Sequence, residues 1–180
     1  MQFRTGDINL FAACMALGIP PDPIEPAAVY QNDDGKDYIS FTLDHQSLCG
    51  MHSTREMMGA WGMRAAFERE FPHHPFLALM QFSTMALGAR RKADWIDAGA
   101  RFLGLSYSAF ARAYNDIGRL EAEAPESPVS YIACFIANRH AAIGWVKSSV
   151  PKIAISKGKS MLLMDATLSA KNQRFLLSKL

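Results

Sequence analysis

Ser108, Arg112 and Asn115 fall on one face of a single helical segment, and that face carries hydrogen-bond donors and a permanent cation but no carboxylate. Such a face can donate to an anionic or acceptor-rich partner. The only metal-like cluster is His45, Cys49 and His52, with His73 or His74 further on. The spacing H-x3-C-x2-H places three N/S ligands in one loop, and tetrahedral zinc would need a fourth such as His73. Paired CxxC knuckles are missing, so polar loop residues are the favoured reading and no metal is expected. Cys49 beside His52 or His45 is the one pair that could make a thiolate nucleophile, but no surrounding signature accompanies it. Cys14 and Cys134 lie in apolar helical stretches and read as core. His140 extends the stripe of Val129, Ile132, Ile136 and Ile143 and is expected to be a hydrogen-bonded core or edge histidine. Asp33, Asp34 and Asp37 surround a turn, where such residues favour the backbone, and no bidentate Glu follows to complete a calcium loop. Phosphate-loop, dinucleotide, nucleophile-elbow and H-E-x-x-H signatures are absent; the GKS at 158–160 lacks its preceding glycine-rich loop. No catalytic residue, cofactor or enzymatic activity is expected.

The polar face belongs to the segment IDAGARFLGLSYSAFARAYN, residues 96–115, whose spacing fits two helices meeting at a tight corner. Such a corner needs a small residue at closest approach, a turn residue free to take positive φ, and apolar residues closing the wedge. Ala100 is expected as the small residue, Gly104 as the turn, and Leu103, Leu105, Phe110 and Ala113 as the wedge. Ser106 reads as the N-cap of the second helix. That helix is expected from about Tyr107 to Leu120, with Phe110, Ala113, Tyr114, Ile117 and Leu120 inward and Ser108, Ala111, Arg112, Asn115 and Arg119 outward. Asp116 is placed to hold Arg112 as an i,i+4 pair.

This segment resembles the helix-turn-helix of bacterial repressors, and GLSYSAFARAYN is similar to the turn and recognition helix of the LacI-type repressors. The resemblance spans about 20 residues, in the middle of the chain rather than at its N-terminus. Gly99 departs from it, standing where such motifs have a larger apolar residue. The resemblance implies that Tyr107, Ser108 and Arg112 approach base edges in the major groove and that Asn115 lies near base or phosphate. The opening FRTGDINLFAACMALGIP is also similar to that of small uncharacterised bacterial and phage-associated proteins, which implies no activity.

The elements that must hold this corner are read from start and stop signals. Thr5 is expected to cap a first helix containing Ile8, Phe11, Ala12 and Met15, ended by Gly18 and the prolines after it. AVYQ and KDYISFTL flank NDDG, a hairpin with one buried face. Ser53 and Glu56 form a capping box opening a helix over 54–69. Pro75 and Pro128 each begin a helix at N1, and each has Phe seven residues later and a later Trp. KIAIS and SMLLMDA predict a second hairpin around KGK, and Thr167 caps a last helix.

Composition fits this plan: 180 residues, 49% hydrophobic and 20% charged, describe a folded globular chain and not a disordered one. The expected fold is α+β, a mostly helical single domain over 1–180 with one or two small β-hairpins and a helix-turn-helix subregion at 93–120. Three widely spaced cysteines argue against a disulfide framework, LFAACMALGI reads as a helix and not a signal segment, and no apolar run reaches about 20 residues. A cytoplasmic protein is expected. The net charge of +2 hides an asymmetry: residues 1–45 hold two basic and seven acidic groups, and residues 139–180 hold eight basic and one acidic. Near the corner, Arg90, Arg91, Lys92, Arg101, Arg112 and Arg119 outnumber Asp94, Asp97 and Asp116.

These features predict a small DNA-binding regulator, of a mobile element, that reads double-stranded DNA with the helix after Ser106. Arg112 would contact guanine or phosphate, Tyr107 and Ser108 a base edge or backbone, and Arg90, Arg91 and Lys92 would position the protein electrostatically. The alternative is a protein-binding adaptor or inhibitor, indicated by Arg112 in an internal ion pair and Ser108 buried. A zinc- or cysteine-dependent enzyme is the weaker alternative. A dimer is the usual state of such a reader, although no coiled-coil heptads supply one.

Overall fold

Strand β1 (Phe3–Thr5) leads directly into helix α1 (Ile8–Ala16) in the computed structural model, which describes residues 3–31, 33–44, 48–49 and 52–156. Asp7, not Thr5, caps that helix: its Oδ1 accepts from the N–H groups of Asn9 at 2.8 Å and Leu10 at 3.1 Å. Thr5 is held in the sheet opposite Phe41, two residues too early, and its hydroxyl accepts from the Asp7 N–H at 3.0 Å. The helix buries Leu10, Phe11, Ala12, Ala13 and Cys14 and gives way at Gly18, where φ is 92°.

The expected hairpin is present as β2 (Ala27–Gln31) and β3 (Asp37–Leu43), antiparallel from Ala27 opposite Phe41 to Gln31 opposite Asp37. β1 adds to the other edge of β3, giving the order β1-β3-β2. One buried face was expected, yet Ser40 and Thr42 are buried as well as Phe41 and Leu43. The cause is the central position of β3 and the proline-rich segment beside it. Pro21 bridges to Leu43, the Asp22 N–H donates to the Thr42 carbonyl at 2.9 Å, and the Pro26 carbonyl accepts from the Thr42 N–H at 3.0 Å.

A short hairpin follows, β4 (Leu48–Cys49) against β5 (His52–Ser53), and then α2 (Thr54–Ala60) and α3 (Arg64–Glu70). The single helix expected over 54–69 is split because Gly62 takes φ 87° and interrupts the hydrogen-bond ladder. Helix α4 (Pro75–Met85) begins at its proline as expected, and the His74 imidazole caps it, Nδ1 accepting from the Phe76 N–H at 3.1 Å. Three helices then form the corner region, α5 (Lys92–Leu103), α6 (Tyr107–Asn115) and α7 (Ile117–Glu123), before the long α8 (Pro128–Ser156). Residues 152–156, expected as a strand, continue α8; their short apolar alternation fits either period, and the helix already running through them decides. The second half of that hairpin and the helix expected after Thr167 lie outside the described residues.

Helix α8 is the spine. It packs on α1, β2, α4, α5, α6 and α7, and the buried side chains form one continuous core. Phe82 and Phe135, seven residues into the two proline-started helices, meet edge to face at 5.6 Å, with Trp95 of α5 6.0 Å from each. Phe11 stacks on Phe41 at 5.0 Å and joins α1 to the sheet. The fold is α+β and mostly helical. Among the described residues no helix is long and apolar enough to cross a membrane.

Candidate nucleic-acid interface

The corner is built by α5, the turn at residues 104–106, and α6. Asp94 fixes the start of α5. Its Oδ2 accepts from the Arg91 N–H at 2.9 Å and the Arg90 N–H at 3.3 Å, and its Oδ1 takes the Arg91 guanidinium at 3.2 Å. The Arg91 backbone donor, then the Arg91 side chain and the Arg90 backbone, hold this carboxyl below the usual range. The N-terminus of α5 therefore carries its own acid, and the positive end of its dipole is already answered.

At the other end Gly104 adopts φ 66°, ψ 28°, the left-handed conformation that ends helices, and the Leu105 N–H returns to the Ala100 carbonyl at 2.9 Å. Ser106 caps α6 as expected, its Oγ accepting from the Ala109 N–H at 3.2 Å. The close approach, however, belongs to Gly99 and not to Ala100. A Cβ placed on Gly99 would lie 2.9 Å from Phe110 Cζ and closer still to Cε1. Phe110 is fully buried, so its ring lies directly against the α5 backbone. The departure at Gly99 is thus what lets α6 close on α5: a large wedge residue on one helix is matched by the absence of a side chain on the other. Leu105 was expected in the wedge and is instead exposed at the turn.

The second helix is shorter than its apolar stripe implied. Asp116, at φ −116° and ψ 42°, breaks it after Asn115, in a run of Asn, Asp and, two residues on, Gly, all weak helix formers. Arg119 consequently sits on α7, where its Nε bonds Glu123 at 2.9 Å. The i,i+4 pair expected between Arg112 and Asp116 does not form; Asp116 ends the helix, its N–H donating to the Arg112 and Ala113 carbonyls.

Of the residues predicted to touch a partner, Tyr107, Ser108, Arg112 and Asn115 lie on α6, whereas Arg90, Arg91 and Lys92 stand at or just before the start of α5. Tyr107 is 47% exposed, and Ser108, Arg112 and Asn115 are exposed or half-exposed beside it, with half-buried Ala111 between them. Ser108 Oγ lies 3.3 Å from Ser106 Oγ. The basic residues divide into two kinds. Arg91, Arg101 and Arg119 are each engaged by a neighbouring carboxylate, Asp94, Asp97 and Glu123 respectively. Lys92 rests its ammonium 4.9 Å above the Tyr114 ring and ties the start of α5 to the end of α6. Arg112 makes no ion pair among the described residues, and the Arg90 side chain makes none either.

Behind the corner lies a polar network that sequence reasoning missed. Arg139 of α8 is 4% exposed, donates from Nε to Asn9 Oδ1 at 2.9 Å, and stacks its guanidinium 4.3 Å over the Trp95 ring of α5. Burial pulls its pKa down to about 10, against the Asp7 charge, which raises it. Asp7 also accepts from Trp61 Nε1 at 2.9 Å. One arginine in an apolar helix thus anchors α5 through its tryptophan, and it reaches back across the chain to Asn9 of α1. Next to it His140 is half-buried with no hydrogen bond to Nε2 among the described residues, contrary to expectation; burial first, then the charges of Arg139 and Lys92, lower its pKa.

The metal-like cluster is only partly described. Cys49 and His52 are register partners in the β4–β5 ladder, His73 is exposed, His74 is occupied as the α4 cap, and His45 lies outside the described residues. Among the described residues no three potential ligands converge. Cys14 and Cys134 are buried, and Cys134 donates its thiol proton to Glu121 Oε1 at 3.2 Å. Compared with known protein families, with characterised proteins and with solved structures, the chain has no match.

Proposed function

We propose that the protein is a regulator that binds double-stranded DNA, with α6 as the helix laid into the major groove. The observation that carries this reading is the state of Arg112: an exposed guanidinium on a carboxylate-free helix face, with no ion pair among the described residues, while three other arginines of the corner are neutralised. An exposed arginine with its donors available is suited to the paired acceptors of guanine or to a phosphate. Tyr107 and Ser108 stand at the N-terminal end of the same helix, where a reading helix contacts base edges, and Asn115 lies two turns further along. Arg90 supplies a cation for the flanking phosphates. Arg91 and Lys92 are given a smaller share, because each already has a partner. The adaptor reading asked for a paired Arg112 and a buried Ser108, and Ser108 is exposed.

The test is fluorescence anisotropy with random-sequence duplex DNA over a salt series, comparing the natural chain with Arg112→Ala and Arg119→Ala. Binding should weaken log-linearly with salt, and removing a side chain that neutralises one phosphate should reduce the slope by about 0.9. Arg112→Ala should cost about 1–3 kcal/mol at a preferred site. Arg119→Ala, on α7 and already paired, should bind as the natural chain does. Absence of binding at low salt, or binding indifferent to Arg112, would overturn the assignment.

A further inference from the structure

Lys92 is the first residue of α5 and follows two arginines, a placement that runs against the helix dipole, whose N-terminal end disfavours cations. No carboxylate pairs with it among the described residues, and Asp94 is taken by Arg91 and by the N–H groups of Arg90 and Arg91. What its ammonium meets is the Tyr114 ring, 4.9 Å from the centroid. Tyr114 stands in the last turn of α6, half-buried and packed against the core, so the ring is held in place beneath the cation. Helix α6 therefore meets α5 at two points. Phe110 lies on Gly99, and one turn further along α6 Tyr114 meets Lys92, two turns back along α5. One contact would leave α6 free to pivot about Phe110, whereas two fix the line of its axis. Arg112 lies between the two contacting residues in the chain and Asn115 directly after them, both exposed, so any pivot would carry them with it.

We infer that Lys92 is a positioning residue for the reading face: by clamping Tyr114 it sets the angle at which α6 presents Arg112 and Asn115 to a duplex, and it does not itself neutralise a phosphate. The inference rests on the DNA reading above for its partner, while the clamp itself is tested without DNA. Lys92 thus differs in kind from Arg90, whose side chain makes no ion pair among the described residues and is the cation available to a flanking phosphate. The size of the effect is bounded. Apparent affinity scales with the fraction of molecules whose α6 is correctly held, so losing the clamp weakens binding by no more than the clamp is worth, about two- to fivefold for an exposed cation over a tyrosine.

The experiment compares the full chain with Lys92→Gln, Lys92→Arg, Tyr114→Phe, Tyr114→Leu and the Lys92→Gln/Tyr114→Leu pair, with Arg90→Gln as the reference for a phosphate contact. Random-sequence duplex binding is read by fluorescence anisotropy over a salt series, and chemical denaturation of the same proteins without DNA gives the double-mutant cycle. Lys92→Gln and Tyr114→Leu should each weaken binding about two- to fivefold with the salt slope unchanged, and the pair should be no weaker than either alone. Lys92→Arg and Tyr114→Phe each keep a cation over a ring and should bind as the natural chain does. Arg90→Gln should lower the slope by about 0.9. The same loss of slope in Lys92→Gln would make Lys92 a phosphate contact and overturn the inference, as would normal binding by Tyr114→Leu or effects that add in the pair. Additive stabilities without DNA, beside duplex binding that still depends on Arg112, would sink the clamp and leave the DNA reading standing. Non-additive stabilities in a chain that binds no duplex would leave the clamp and sink the DNA reading, and with it the role of Lys92 in presenting α6.

Discussion

Gly99→Ala is the substitution that most directly tests how the corner is held. A glycine inside a helix costs about 1 kcal/mol relative to alanine, so on propensity alone this change should stabilise α5. Gly99 differs from the other helix-interior glycines in what faces it. A Cβ there meets the Phe110 ring well inside contact distance, whereas at Gly118 and Gly144 it meets nothing within 4 Å. Phe110 is fully buried, so its ring can yield only by pushing α6 outward or by leaving its rotamer. Overpacking of this kind costs about 1–3 kcal/mol. The expected contrast between Gly99→Ala and Gly144→Ala is that same range, or roughly 3–10 °C in Tm for a chain of this size. Chemical denaturation of both variants, with the slope checked for constancy, measures the difference. Phe110→Leu should release the strain, so that Gly99→Ala in that background regains the propensity advantage, and the double-mutant cycle isolates the contact. A Gly99→Ala chain stabilised as much as Gly144→Ala would refute the close approach.

Two further outcomes follow from titratable groups away from the corner. His140 has its folded pKa lowered, chiefly by burial and then by Arg139 and Lys92, so below the ordinary value of about 6.5 the unfolded chain takes up the proton first. Stability should therefore fall as pH drops from neutrality through about 6, and the loss should be smaller in His140→Gln; parallel pH profiles of the two proteins would sink this assignment. Cys134 has its thiol pushed up to about 12 by burial and by the Glu121 carboxylate that accepts its proton. Alkylation of the folded protein at pH 8, followed by peptide mapping to separate it from Cys14 and Cys49, should be at least about a thousand-fold slower than in denaturant. Native labelling at the rate of a free thiol would contradict the hydrogen bond to Glu121.

Local signals made much of this architecture legible in the sequence. Pro75 and Pro128 started helices, NDDG placed a hairpin, Gly104 and Ser106 closed one helix and opened the next, and Ser108, Arg112 and Asn115 are exposed on α6 as expected, whereas Ala111 packs against the core and Arg119 falls on α7. Each of these depends on a few neighbouring residues and on backbone preferences that hold in any context. The errors also have local causes. The Gly62 and Asp116 breaks were hidden beneath apolar periodicity that runs on past them, and residues 152–156 are too few to separate a strand from a helix by pattern.

Tertiary structure alone decided the rest. That Gly99 faces Phe110, that Arg139 reaches Asn9 and lies over Trp95, and that β1 completes a sheet with β3 are pairings between residues whose separation in the chain says nothing about their distance in space. The same holds for charge. The sequence supplied six basic residues to the corner, and only the placement of Asp94, Asp97 and Glu123 determined which guanidiniums were neutralised. The sequence by itself determined where α4, α6 and α8 begin and that Ser108, Arg112 and Asn115 face outward, because hydrogen-bond caps and 3.6-residue periodicity are short-range. Only the folded chain decided that Arg112 is left without an ion pair among the described residues, because an ion pair needs N and O within about 4 Å and depends on where every neighbouring carboxylate comes to rest.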